Sequence, residues 1–101
     1  MNIKQIQQMM KQAQKMQGSM ETIQKEIDKK EFNATAGGGV VTVKMMGDKK
    51  IQEIIIKENV LDPEEKDMLQ DMIKLAVNQA LEDIDNYTKE QMGPITQGLP
   101  F

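Results

Sequence analysis

The first thirty residues constrain the fold of this chain more than any other stretch. Between Asn2 and Lys30 there is no proline and a single glycine, and Gln, Lys and Met, which are good helix formers, dominate. Apolar residues recur there at alternating steps of three and four, which is a heptad a/d seam sustained for three repeats. The seam consists of Ile6, Met9, Ala13, Met16, Met20, Ile23 and Ile27. The pattern predicts a helix over residues 2–30.

A helix of this length is too long for the rest of the chain to cover. At about 1.5 Å per residue it extends for roughly 43 Å. A compact domain of about 100 residues has a radius of gyration of only about 13 Å. The chain has 101 residues and is predicted to form one domain. We therefore expect one end of the helix to project from this domain or to pack on another subunit.

The side of the helix opposite the seam carries lysines. With Ile6 at heptad position a, Lys4 and Lys11 fall at f, and Lys15 and Gln8 fall at c. Positions c and f face away from the seam. The first twenty residues contain no acidic residue that would neutralise these lysines. The simpler interpretation is a solvated outer face. The alternative is a face that contacts phosphates, which the positive field of the helix N-terminus would favour.

Three short segments with the composition of β-strands follow the helix. They cover residues 31–36, residues 40–46, which are rich in valine, and residues 51–57, which contain three consecutive isoleucines. Glycines 37–39 connect the first two, and Gly47 marks the turn before the third. This predicts a three-stranded antiparallel sheet. Because aliphatic residues fall on both faces, one face should be covered by the chain's own helices and the other by a partner subunit.

A second long helix begins at Pro63. Asp62 suits the N-cap, Pro63 the first helical position, and Glu65 the third position of a capping box. Apolar residues at helical spacing predict a helix over residues 63–92 that ends before Gly93-Pro94. The fold class is therefore α+β in two layers, with a single domain over residues 1–92. Residues 93–101 are predicted to form a flexible tail.

Composition argues against catalysis. The chain has no His and no Cys, which removes the commonest general base and the thiolate nucleophile together with their metal sites. Glu82 and Asp85 share a helix face, but a solvated acidic face explains them better than a metal or acid/base site. Glycines 37–39 lead into a strand, whereas a phosphate-binding loop leads into a helix. We predict no enzyme, no metal site and no cofactor.

The charge is distributed unevenly. The net charge is −3, and residues 58–85 contain nine acidic residues against two lysines. All thirteen basic residues are lysines, so the chain lacks arginine for bidentate recognition of guanine. No apolar run approaches the roughly 20 residues of a membrane span, and the N-terminus lacks the apolar region of a signal peptide. We expect a cytoplasmic protein that does not bind membranes or a small-molecule substrate.

With these segments in order, the chain resembles the YbaB/EbfC family of bacterial nucleoid-associated DNA-binding proteins. The resemblance is carried by residues 9–17 (MMKQAQKMQ), the glycine-rich loop before Val40–Val43, Gly47, Ile54–Ile56, and residues 62–80 (DPEEKDMLQDMIKLAVNQA). It implies a small α+β fold and a homodimer shaped like tweezers. The sheets would lie at the dimer core, and paired helices would project from it to grip duplex DNA.

The family's DNA contacts are attributed to its first and last helices. Carried onto this sequence, the resemblance implies DNA contacts at Lys4, Gln8, Lys11, Gln12, Lys15 and Lys89. The predicted dimer interface consists of Val41, Val43, Met45, Ile54 and Ile56. The predicted function is binding of duplex DNA in the nucleoid with low sequence selectivity, to organise the nucleoid or influence gene expression. The alternative is a non-enzymatic interaction module that binds a partner protein through its heptad seam.

Overall fold

The computed structural model describes residues 2–96. It confirms the predicted order of a long helix, three antiparallel strands and a second long helix. The elements are α1 (Ile3–Asp28), β1 (Glu31–Ala36), β2 (Val41–Met46), β3 (Ile51–Ile56), two short 3-10 turns (Glu58–Val60 and Pro63–Glu65) and α2 (Lys66–Thr96). Asn2 caps α1, because its side-chain oxygen accepts a hydrogen bond from the backbone N–H of Gln5 at 2.9 Å.

The sheet has the strand order β1-β2-β3. Glycines 37–39 turn the chain from β1 to β2 with φ values of 64°, 71° and 96°, which other residues rarely adopt. At Gly37 the backbone also passes so close to Met72 of α2 that an added Cβ would overlap its sulfur. The three glycines therefore serve the turn and its contact with α2, in agreement with the predicted connection.

The hydrophobic core lies between α2 and the first two strands. Helix α2 packs mainly across β1 and β2, and of β3 the half-buried Ile56 also packs against this core. Two alanines of α2, Ala76 and Ala80, are fully buried and let the helix approach the sheet closely. The buried residues of this core are Phe32, Ala34, Val41, Val43, Met45, Met72, Ala76, Ala80 and Ile84.

This packing corrects part of the predicted dimer interface. Val41, Val43 and Met45 were expected to face a partner subunit, but they are 0, 0 and 1% exposed within the single chain. They are covered because α2 of the same chain lies on that face of the sheet. In β3, Ile54 and Ile56 pair with Val43 and Val41 and share their face. Because α2 packs mainly over β1 and β2, Ile54 remains exposed, whereas Ile56 is half-buried against the core.

A bulge changes the facing of residues in β3. Lys44 pairs with Glu53, whereas the next residue, Met45, pairs with Ile51, so Gln52 is the extra residue. Strict alternation would place Ile51 on the same face as Ile55. The bulge brings Ile51 opposite Met45 instead, on the face that carries Ile54. Consequently β3 exposes Ile51 and Ile54 on one face and Ile55 on the other, by 45, 41 and 41%.

The end of α2 also differs from the prediction. The helix was expected to stop before Gly93-Pro94, yet it continues to Thr96 with Pro94 inside it. Proline removes one backbone hydrogen bond and strains the preceding turn. Met92 and Ile95 lie beside α1, where they line clefts together with its side chains. Of the predicted tail, residues 93–96 are therefore helical, and residues 97–101 lie outside the described residues.

Candidate nucleic-acid interface

Helix α1 is anchored at its C-terminal end. The backbone N–H of Gly47, in the β2–β3 turn, donates to the carbonyl of Lys30 at 2.9 Å. An added Cβ at Gly47 would overlap the carbonyl oxygen of Ile27, so only glycine lets the turn approach the helix this closely. Ile27 is buried there. The end of α1 is thus held directly against one end of the sheet.

A second set of contacts joins this end of α1 to α2. The Lys30 ammonium lies 5.1 Å from the ring centroid of Tyr87 and 5.7 Å from that of Phe32. The two rings pack edge to face with centroids 5.6 Å apart. Nearby, Lys49 of the turn pairs with Asp85 of α2 at 3.2 Å. The cation–π and aromatic contacts hold the base of α1 to β1 and α2, and the ion pair joins the β2–β3 turn to α2.

The cover over the heptad seam decreases along α1 toward its N-terminus. Ile27 is buried, and Met16, Met20 and Ile23 are half-buried, whereas seam positions before Met16 are exposed. The last turns of α2 account for the half-buried part, because Met92 and Ile95 lie beside α1 between Ala13 and Gln24. Residues 3–12 of α1 therefore project beyond the rest of the described chain, and residues 13–15 lie beside the last described turns of α2. We call residues 3–15 the arm. The described chain measures 72 × 23 × 16 Å.

Five of the six predicted DNA-contacting residues lie on one face of the arm. At about 100° per residue, they occupy a sector of roughly 100° on the side away from the seam. All five side chains are exposed, and they are Lys4, Gln8, Lys11, Gln12 and Lys15. We refer to Lys4, Lys11 and Lys15 as the arm lysines. Along the helix axis the arm lysines extend over roughly 16 Å.

No acidic group neutralises the arm lysines within the described chain. The first acidic residue of α1 is Glu21, beyond the arm. Salt bridges between described residues join Lys44 to Glu53 and Lys49 to Asp85, and neither involves a lysine of α1. The arm therefore presents three cationic side chains that are free to meet anionic groups in solution.

Six of the nine acidic residues in residues 58–85 lie at the other end of the sheet, within residues 58–71. The other three lie within residues 82–85, where Asp85 pairs with Lys49 near the base of α1. Helix α1 leaves the sheet at Gly47, the turn at one end of β2. The first turns of α2 lie near the opposite end, where Met72 contacts Gly37. Strand β2 has six residues and so separates the two turns by roughly 20 Å. This exceeds the Debye length of about 8 Å at physiological salt, so the acids of residues 58–71 are screened from the arm.

Lys89 does not join the arm face. It is exposed on α2, two residues after Tyr87, which contacts Lys30 at the base of α1. Ile95 lies alongside Ile23 and Lys15. Lys89 therefore lies nearer the base of α1 than the arm, with Glu90 next to it in sequence. The structure groups the five α1 residues and leaves Lys89 apart from them.

The heptad seam alone did not reveal the full width of the apolar side of the arm. Ile3 and Met10 occupy heptad position e, beside the seam residues Ile6 and Met9. All four side chains are large, apolar and exposed. The signal was present in the sequence as apolar residues at consecutive a and e positions, which widen a seam into a broader stripe.

Within residues 2–96 there is no group of three His, Cys, Asp or Glu side chains that could hold a metal ion. In the same residues, neither long helix has a stretch apolar enough to cross a membrane.

Comparison with known proteins gives consistent matches over nearly the whole chain. The profile of the YbaB/EbfC DNA-binding family matches residues 1–99. A nucleoid-associated protein of Clostridium novyi is 52% identical over 91 residues, which are 90% of this chain and 80% of that protein. Nucleoid-associated proteins of Enterococcus faecalis and Lactococcus lactis are 46% and 44% identical, covering 91% and 95% of this chain and 88% and 97% of theirs.

Among solved structures, an uncharacterized protein of Helicobacter pylori has a similar fold. The match has a TM-score of 0.66 at 19% identity and covers 77% of this chain and 90% of that one. At this level of identity the likeness concerns the fold alone.

Proposed function

We propose, from the premise that this chain belongs to the YbaB/EbfC DNA-binding family, that it binds duplex DNA through the lysine face of the α1 arm. The observation that carries the proposal is the arm itself. It projects from the domain, its three lysines are exposed and unpaired, and no acidic residue precedes Glu21. An exposed row of cations along a projecting helix suits the phosphates of a nucleic-acid backbone.

The residue types favour binding with low sequence selectivity. Lysine acts as a point charge toward phosphate and lacks the planar fork with which arginine recognises guanine. Neutralisation of phosphates contributes affinity that is independent of sequence. Gln8 and Gln12 lie beside the arm lysines, and their amides can donate hydrogen bonds to phosphate or sugar oxygens. Phosphate contacts therefore dominate the proposed interface, and no catalytic step is assigned to the chain.

We further propose that the active form is a homodimer that contacts its partner through β3. This edge strand exposes Ile51 and Ile54 on one face and Ile55 on the other. The outer edge of β3 has no neighbouring strand in the sheet, so its backbone groups can pair with another chain. A dimer built there would cover the three isoleucines and present two arms. Two arms would double the number of lysines that one DNA molecule meets.

Relatives of this chain are named nucleoid-associated proteins, and we propose the same location here. A dimer with two cationic arms and little sequence selectivity would coat many DNA sites. In that location it would contribute to nucleoid organisation and could influence gene expression through the occupancy of promoters.

The salt dependence of binding tests this proposal. Fluorescence anisotropy would measure the affinity for two duplexes of unrelated sequence at several salt concentrations. If the arm lysines of both protomers neutralise six phosphates, log affinity should fall with log salt at a slope of about −5. The two duplexes should give affinities within a few-fold of each other. A slope near zero, or no binding at low salt, would contradict the proposal.

A further inference from the structure

The arm carries an exposed apolar face on the side opposite its lysines. Ile3, Ile6, Met9 and Met10 are 73, 45, 58 and 58% exposed. At about 100° per residue, the centre of this group lies roughly 130–170° around the helix from the arm lysines. We call these four residues the apolar arm face. Four large apolar side chains clustered on a projecting helix are unusual for a surface that serves only as solvent contact.

Neither the described chain nor DNA covers this face. The last described turns of α2 reach α1 only between Ala13 and Gln24. DNA held by the arm lysines would lie against the opposite side of the helix. As far as the described residues 2–96 are concerned, the apolar arm face is therefore accessible both before and after the arm lysines engage phosphates.

The residues that border the apolar arm face identify the chemistry of its partner. On one border lie Gln5 and Gln12, of which Gln12 separates this face from the lysine face. On the other border lie Gln7 and Gln14, so neither border carries a charge. Two copies of this face can meet without bringing like charges together, and the glutamine amides can donate and accept hydrogen bonds across the contact.

Other partners fit the same borders less well. A helix that lies on a lipid surface places lysines beside its apolar face, where they reach the headgroups. Here the arm lysines point away from the apolar side. A partner protein of opposite charge would be expected to meet charged residues at the borders, and there are none. An uncharged apolar stripe bordered by amides is matched best by an identical stripe.

We propose that the apolar arm face is a self-association surface, through which the arm of one molecule packs against the arm of another. This inference rests on the proposed DNA-binding function. The contact would join two DNA-bound molecules, because the lysine faces stay outward and remain bound to their own duplexes. The protein would then bridge DNA segments. Stable specific interfaces bury about 1,200–2,000 Å² in total. The surface area that four side chains per arm can bury lies at or below that range. The contact should therefore be weak in solution and favoured where DNA holds many arms close together.

Introduced cysteines give a direct test, since the natural chain contains none. Met9→Cys places a thiol on the apolar arm face, and Lys11→Cys, two residues further on, places a matched thiol on the lysine face. Under mild oxidation we expect Met9→Cys to form disulfide-linked pairs at least five-fold faster than Lys11→Cys. Because the proposed homodimer presents two arms, the linked material should have at least twice the native mass of the unlinked protein. Equal rates after correction for thiol reactivity, or an unchanged native mass, would overturn the proposal.

Bridging is tested with two duplexes. One duplex is fixed to beads, and the capture of a second, labelled duplex is measured with the protein present. A variant with Ile6, Met9 and Met10 changed to Gln should bind a single duplex within about two-fold of the wild type and lose at least five-fold in capture. Met68→Gln, an exposed methionine on α2, is the matched control and should retain capture. Capture unchanged in the triple variant would overturn bridging.

The two tests separate this inference from the function on which it rests. If the wild-type protein fails to bind even the first duplex, the DNA-binding proposal and bridging fail together. The cysteine experiment contains no DNA, so its outcome decides self-association of the arm in either case.

Discussion

Replacement of Gly47 by alanine should destabilise the protein, because the turn has no room for a side chain there. An added Cβ would overlap the carbonyl oxygen of Ile27 and lie 2.8 Å from its Cγ2 atom. A backbone oxygen cannot rotate away as a side chain can, so the turn and the end of α1 must separate. That separation weakens the hydrogen bond from Gly47 N–H to the Lys30 carbonyl, now 2.9 Å long.

The expected loss of stability combines two effects. Overpacking of a close contact costs about 1–3 kcal/mol, and one backbone hydrogen bond contributes about 0.5–1.5 kcal/mol. Together they predict a loss of about 2–4 kcal/mol in the free energy of unfolding. For a domain of this size, each kcal/mol lowers the melting temperature by roughly 4–8 °C. Urea denaturation followed by circular dichroism, at one protein concentration for all variants, would measure the loss.

Gly18→Ala provides the matched control. Gly18 lies within α1, and an added Cβ there would meet nothing within 4 Å. Alanine is favoured over glycine inside a helix by about 0.5–1 kcal/mol, so this variant should be more stable than the wild type. The same chemical change thus has opposite expected signs at the two positions. If Gly47→Ala unfolds within about 0.5 kcal/mol of the wild type, close packing of the turn against α1 is refuted.

Three further predictions follow from other parts of the molecule. Changing all three arm lysines to Ala should bring the salt slope of DNA binding from about −5 close to zero, whereas Lys74→Ala on α2 should leave it unchanged in the anisotropy assay. Ile54→Lys should convert the proposed dimer to a monomer in light scattering. Leu75→Lys, which changes another exposed apolar side chain away from β3, should leave the dimer intact. A dimer that survives Ile54→Lys would argue against β3 as the contact. Lys49→Ala should change the free energy of unfolding by less than about 1 kcal/mol, because its ion pair with Asp85 is about half exposed, and a larger loss in urea denaturation would mean that the pair supports the base of α1.

Local sequence patterns predicted most of the fold. The heptad seam and absence of proline predicted α1 almost to its ends, and the Asp62-Pro63 start predicted where the second helical segment begins. These signals are local, because capping, proline geometry and helical spacing act within a few residues. The lysine face of the arm could be predicted from the sequence for the same reason. Residues at c and f positions of one helix must share a side once the helix forms.

Long-range packing decided what the local patterns could not. Gly93-Pro94 is a local stop signal, but the helix continues to Thr96, and its last turns lie beside α1, which is distant in sequence. Alternation in the strands showed that both faces of the sheet are aliphatic. It could not show that α2 lies over β1 and β2, which buries Val43 and leaves Ile54 exposed although the two are paired.

By itself, then, the sequence determined the two long helices, the three strands and the separation of lysines from apolar residues around α1. Only the tertiary structure decided how far along α1 its apolar side is covered and which strand remains open to a partner. The physical reason is that helix periodicity and capping depend on neighbours in sequence. Burial depends on where distant elements end, and here α2 ends beside the middle of α1, which leaves the arm uncovered.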